Sequence, residues 1–213
     1  MTDKAKAAPE LEQIEFEPID RSSFLMKGIL AAGATYGAFA AGPMLRTAFA
    51  QGGGSEGDIE ILNFALTLEY LETAFYEEAG KQAKLSSDVG ALAKSFGEQE
   101  AEHVAGLTQA IEDLGGKPVD APGVDFGDAF SSEDAFLATA ITFEDLGVSA
   151  YNGAGPMITS KDLLATAGAI VQVEGRHAAA VRNAAGEPAA PDAFDPTLTV
   201  DEVTKAVEPF LAN

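Results

Sequence analysis

Residues 98–103 read Glu-Gln-Glu-Ala-Glu-His, and residues 173–177 read Val-Glu-Gly-Arg-His. Each stretch holds a Glu-x-x-His pair, Glu100 with His103 and Glu174 with His177, and these are the only two histidines of the chain. Residues three apart on an α-helix share a face, so each pair could grip one ion. Each pair also has a glutamate about thirty residues upstream, Glu69 before the first and Glu144 before the second.

The apolar pattern shows which face these residues occupy. Leu92, Phe96, Glu100, His103, Leu107 and Leu114 fall on one stripe at helical spacing, and so do Ile170, Glu174, His177 and Val181. Leu62, Leu66, Glu69 and Tyr76 form a third stripe, and Leu137, Ile141, Glu144, Val148 and Tyr151 a fourth. The polar groups therefore point where the apolar ones point, into a core. A buried carboxylate must be paired, protonated or bound to a cation. No basic residue recurs on these stripes. Two divalent ions would balance four carboxylates, with both imidazoles neutral. The competing reading is a buried hydrogen-bond network without metal.

An internal repeat supports the ions. Leu68-Glu69-Tyr70-Leu71 through Tyr76 aligns with Phe143-Glu144-Asp145-Leu146 through Tyr151. In both, Glu is followed by Leu two residues on and Tyr seven residues on. This is one helical hairpin used twice, each copy supplying one lone Glu and one Glu-x-x-His. Such a donor set is known in di-metal carboxylate bundles.

From residue 58 to about 185 the chain resembles the ferritin-like superfamily. It is most similar to ferritin-like domain proteins of the exported, desiccation- and stress-associated type, through Asn63-Phe64-Ala65-Leu66 followed by Leu68-Glu69-Tyr70-Leu71-Glu72. The resemblance implies an all-α, antiparallel four-helix bundle with a di-iron or di-manganese centre. By motif position Glu69, Glu100, His103, Glu144, Glu174 and His177 would be the metal ligands.

The rest of the chain fits one bundle behind a leader. The 213 residues carry 13 basic and 34 acidic side chains, a net charge of −21. Such a surface repels nucleic acid and anionic membranes. There is no cysteine, which excludes disulfides, thiolate metal sites and cysteine nucleophiles. Residues 1–50 read as an export signal: a polar start, then Arg21-Ser22-Ser23-Phe24-Leu25-Met26-Lys27, then a Gly/Ala-rich apolar run and the small-x-small site Ala48-Phe49-Ala50. The segment resembles a twin-arginine signal with Ser22 in place of the second arginine, which leaves the general secretory route open. An uncleaved anchor is the alternative, since the apolar run is near the lower limit for a span. Export would place the protein in the periplasm or outside the cell. Residues 51–57 read as a flexible linker.

Residues 58–188 are expected to hold the bundle. Helix one spans 58–81, with Asp58 as its N-cap. Helix two begins at Ser86-Ser87-Asp88 and stops at Gly115-Gly116. The connection from 116 to 131 is long enough to cross the bundle, so helix three should run parallel to helix two. Helix three starts at Ser131 or Ser132 and breaks at Asn152-Gly153-Ala154-Gly155-Pro156. Helix four spans about 161–185, ended by Gly186. In residues 189–213 a loop leads to a short amphipathic helix built on Val200, Val203 and Val207, which Pro209 should disturb. Glu72, one turn beyond Glu69, is a candidate to support the ligands or to serve as an alternate ligand, but it reads as solvated, because its counterpart in the repeat is Gly147. Tyr76 and Tyr151 read as core aromatics or as hydrogen-bond donors near the site. Arg176 and Arg182 are candidates to pair with ligand carboxylates, or else lie on the surface.

Two functions follow as expectations. One is an oxidoreductase whose two iron or manganese ions react with oxygen or peroxide. The other is a non-catalytic stress-protective or metal-sequestering protein with a structural metal site. With both histidines committed to metal, a Ser-His-Asp hydrolase is excluded.

Overall fold

The computed structural model describes residues 56–212. The expected export signal at 1–50, and the linker up to residue 55, lie outside the described residues. Among the described residues the protein is built from helices, with one isolated antiparallel bridge between Val124 and Leu211. The helices are α1 (Glu56–Gln82), α2 (Ser87–Asp113), α3 (Glu133–Ala154), α4 (Lys161–Ala184) and α5 (Val200–Val207). No described helix is long and apolar enough to cross a membrane.

The two hairpins of the repeat are the main packing pairs, α1 along α2 and α3 along α4. Glycine signals end α2 and α4 as the sequence predicts. At Gly115 the backbone turns left-handed (φ 77°), Gly115 N–H bonds Glu112 O and Gly116 N–H bonds Ile111 O. Gly186 (φ 78°) repeats this, with Gly186 N–H on Asn183 O and Glu187 N–H on Arg182 O. Both are Schellman stops, in which only glycine takes the left-handed residue without strain. Ser132 Oγ accepts from Ala135 N–H and Ser160 Oγ from Leu163 N–H, starting α3 and α4.

The crossover runs as its length implied. Gly116, just past α2, lies against Ile59 near the start of α1. Asn63 then bonds both Lys117 O and Val119 N–H. Further on, Phe126 and Phe130 pack on Phe75, and Glu133 accepts from Ser86 N–H at the start of α2. The connection thus travels the length of α1, and α3 begins where α2 begins. The result is an antiparallel four-helix bundle with one long crossover and a short added helix.

Two details differ from the sequence reading, the start of α1 and the end of α3, while the C-terminal helix ends and packs as expected. Helix α1 begins at Glu56, so Asp58 is not its cap. Its buried carboxylate instead accepts from Thr159 N–H, Thr159 Oγ and Ser160 N–H, tying α1 to the turn before α4. Helix α3 continues through Gly153 to Ala154 and only then tightens into a 3₁₀ turn, Gly155–Met157. Helix α5 ends at Val207, where Glu208–Phe210, with Pro209 inside it, forms a 3₁₀ turn. The tail packs on its own bundle: Val203 and Val207 are buried, and Phe210 meets Phe143 edge to face at 4.7 Å.

The core has two parts. Phe75, Phe96, Phe136 and Phe143 anchor an aromatic cluster toward one end. Leu62, Leu66, Leu107, Ile111 and Leu163 form an aliphatic cluster toward the other. On each long helix the polar residues of the stripe fall between the two. Apolar packing on both sides therefore fixes their depth and height in the bundle.

Candidate metal centre

All six sequence-predicted residues meet in this middle layer. Glu69, Glu100, Glu144, Glu174 and His177 are fully buried, while the His103 side chain keeps 12% of its surface exposed. They form two overlapping sets of four donors. Glu69, Glu100, His103 and Glu174 make one, and Glu100, Glu144, Glu174 and His177 the other, with the donor atoms of each set within 4.8 Å of one another. Glu100 and Glu174 belong to both.

The atoms face two common points. Glu100 Oε2 lies 2.8 Å from His103 Nδ1, and Glu100 Oε1 lies 2.7 Å from His177 Nδ1. His103 Nδ1 is also 3.1 Å from Glu69 Oε2 and 3.3 Å from Glu174 Oε1. His177 Nδ1 is 3.4 Å from Glu144 Oε2. Both imidazoles thus present Nδ1 to the carboxylates.

Tyrosines hold the outer oxygens. Tyr76 donates to Glu144 Oε1 and Tyr151 to Glu69 Oε1. Each leaves the other oxygen of its carboxylate facing an imidazole. Tyr76 comes from the first hairpin and serves the carboxylate of the second, and Tyr151 does the reverse. The repeat at the sequence level has become an exchange of support across the bundle.

What remains unsatisfied indicates a cation. Glu100 Oε1, Glu144 Oε2, both oxygens of Glu174 and His177 Nδ1 are buried and make no aligned hydrogen bond among the described residues; the close approaches of these carboxylate oxygens to imidazole, such as Glu100 Oε1 at 2.7 Å from His177 Nδ1, lack hydrogen-bond geometry. Buried polar atoms of this kind are rare unless an ion or water completes them. No described Lys or Arg pairs with these carboxylates. Arg182 instead bridges Asp145 and Glu187, and Arg176 is exposed, so neither approaches the ligands. Four oxygen-donor groups and two imidazoles suit iron or manganese. The residues present fit two such ions.

Without metal the site must hold protons instead. Burial pushes the Glu69 carboxyl from 4.5 up to about 7. Burial, reinforced by the Glu100 and Glu69 carboxylates, raises Glu174 well above the usual range. Glu144 is raised by burial against the opposing pull of His177. For His177, burial would lower the imidazole, but Glu144 and Glu100 outweigh it and carry it from 6.5 to about 10. His103 is raised in the same way by Glu69 and Glu100. Glu100 sits between the two rings, and their charge holds it far below its ordinary value despite burial.

The sequence reading preferred a solvated Glu72 and gave Gln99 and Phe96 no part in the site beyond the apolar stripe. Glu72 is buried at 3% exposure, not solvated. Its Oε1 lies 3.2 Å from where a Cβ on Gly147 would be, and Glu174 Oε2 lies 2.8 Å from that point. The missing side chain at Gly147 makes the room that the two carboxylates fill. The i, i+3 spacing from Glu69 was the available signal. Gln99 accepts from His177 Nε2 at 3.0 Å, and Phe96 stacks on the same ring at 3.8 Å between centroids. Their positions, one and four residues before Glu100, gave no comparable cue.

An antiparallel helical bundle with paired Glu-x-x-His donors and two further glutamates at its centre defines the ferritin-like class. A family model described as Ferritin-like domain matches residues 57–187, and the chain belongs to that family. No curated protein matches the chain.

Proposed function

We propose that the protein binds two iron or manganese ions, one in each donor set, and uses them as an oxidoreductase toward oxygen or peroxide, of ferroxidase or peroxide-detoxifying type. The observation that carries this reading is the group of buried donor atoms, without aligned hydrogen bonds, around two points that share Glu100 and Glu174. A bound pair of such ions would supply electron transfer to oxygen or peroxide. The chain's own residues do the rest. Glu100 and Glu174 reach both positions. His103 and His177 donate through Nδ1. Tyr76 and Tyr151 leave one free oxygen on each terminal carboxylate. Phenylalanines and leucines on both sides keep bulk water out, and the surface near His103 offers the approach.

A non-catalytic stress-protective or metal-sequestering role is the second reading, favoured by the complete burial of His177 and its carboxylates. In line with the leader-like sequence of residues 1–50, we propose that the protein works outside the cytoplasm, in the periplasm or beyond. N-terminal sequencing of the mature protein tests that.

Elemental analysis of the purified protein should find about two iron or manganese ions per chain, and the Glu100→Ala, Glu174→Ala double variant should lose them. Fe(II) oxidation and peroxide consumption then separate the readings: turnover supports the oxidoreductase, and tight metal without turnover supports the structural role. A protein that takes up no metal after reconstitution, and whose double variant is equally stable, would refute both.

A further inference from the structure

The two metal positions have matched donors but unmatched surroundings. Each is formed by one terminal glutamate, the shared Glu100 and Glu174, and one imidazole Nδ1. Each terminal glutamate is held by a tyrosine from the other hairpin. The repeat breaks at the histidines. His177 is fully buried, stacked on Phe96 at 3.8 Å, and its Nε2 meets Gln99 Oε1 at 3.0 Å. Gln99 is itself oriented by its amide, which donates to Ser95 Oγ at 3.1 Å. His103 is 12% exposed, and no described residue bonds its Nε2.

The sequence explains the difference. Gln99 precedes Glu100 by one residue, and the residue in the same place before Glu174 is Val173. A valine side chain has no acceptor. An acceptor on Nε2 fixes the tautomer that leaves the Nδ1 lone pair free, and it locks the ring in place. Residues that do this for metal-binding histidines typically contribute 10–100-fold in metal affinity.

Building on the two-ion reading, we propose that the two positions are filled in a fixed order: the His177 position first and tightly, the His103 position second and exchangeably, with Gln99 the positioning residue that sets the order. The first ion stays with the protein, and the second comes and goes through the surface at His103. In the working protein the exchangeable position is where an incoming metal ion would arrive.

Because the chain has just two histidines, a histidine-selective ¹⁵N label reads both positions and nothing else. The full chain, stripped of metal, is titrated with Zn(II) and followed by NMR, with His103→Gln used for assignment. At one equivalent the His177 Nδ1 signal should shift and the His103 signal should stay. The His177 Nε2–H should also exchange with water more slowly than that of His103. In Gln99→Leu the preference should shrink by about 10–100-fold, so that both rings respond together, whereas Gln99→Glu, which keeps an acceptor, should preserve the order. Val173→Gln, which offers His103 the missing acceptor, should also narrow the gap. The proposal is overturned if both rings of the unaltered protein respond in equal proportion, if His103 responds first, or if Gln99→Leu leaves the order intact. Absence of any Zn(II)-dependent change sinks the two-ion reading beneath it, and that outcome is distinct from two equivalent positions.

Discussion

Stripped of metal, the protein should lose stability as the pH rises from 5 to 8. The buried Glu69 carboxyl has its pKa raised from 4.5 to about 7, so the folded state binds this proton more tightly than the unfolded chain. That contribution is fully present below 4.5 and is lost as the pH rises through about 7. The His177 imidazole is raised from 6.5 to about 10, so its contribution is fully present below 6.5 and fades as the pH climbs toward 10. Between pH 5 and 8 each group gives up about 2 kcal/mol, roughly 4 kcal/mol together. Glu174 and Glu72, both raised by burial and by neighbouring carboxylates, act in the same direction. Glu100, held low, loses its contribution only as the pH falls below 4.5, outside this window. For a chain of this size the total corresponds to a fall of about 10 °C in Tm. Repulsion among surface carboxylates has the same sign, given the net charge of −21. Salt of about 0.5 M screens the surface charges and leaves the buried cluster largely unscreened. The assay is thermal unfolding by circular dichroism at both pH values, in that salt and with chelator. With metal bound the trend should reverse, because ions and protons compete for the same atoms. A metal-free Tm that is flat or rises from pH 5 to 8 in high salt would refute the account of the site as a proton store.

Three further outcomes follow from the geometry. Metal uptake at pH 6 should release at least about two protons per chain, one from each raised imidazole, measured by calorimetry in buffers of different ionisation heat. Tyr76→Phe removes the donor to buried Glu144 Oε1 and should cost about 1–3 kcal/mol in urea unfolding of the metal-free protein; Tyr151→Phe should do the same through Glu69. Gly153→Ala would put a Cβ 1.8 Å from Leu198 O, a backbone atom that cannot step aside. It should cost about 3 kcal/mol or more and open residues 186–199 to proteolysis, while a Gly168→Ala control, with nothing within 4 Å of the new Cβ, should not.

The sequence made legible whatever depends on periodicity and length. Glu100 and His103 share a stripe with Phe96 and Leu107, and burial of that stripe brought them into the core. The crossover direction followed from how far sixteen residues can reach. Less visible was anything set by contact between distant segments. Asp58 satisfies every local rule for a helix cap, yet its hydrogen bonds go to Thr159 and Ser160, a hundred residues away. Periodicity cannot show such a partner. Gln99 has the same character, since its value lies in a ring on another helix.

Glu72 shows how a sound local rule can mislead. Its repeat counterpart is Gly147, and symmetry suggested that a position filled by glycine in one copy has no buried role in the other. The two residues are instead complementary across the bundle. A Cβ at Gly147 would press on Glu174 Oε2 at 2.8 Å and on Glu72 Oε1 at 3.2 Å, so glycine in one hairpin is what admits the extra carboxylate of the other. A duplicated hairpin that stayed symmetric would place two glutamates, or two glycines, at this level. Two glutamates would add like charge to a middle layer already holding four carboxylates, and two glycines would leave a void between the packed clusters. The asymmetric pair avoids both. The same reasoning covers Gln99 and Val173, where one copy carries the acceptor and the other does not. Divergence between the two halves has fallen on the residues that surround the ligands, while the Glu and Glu-x-x-His donors are kept in both.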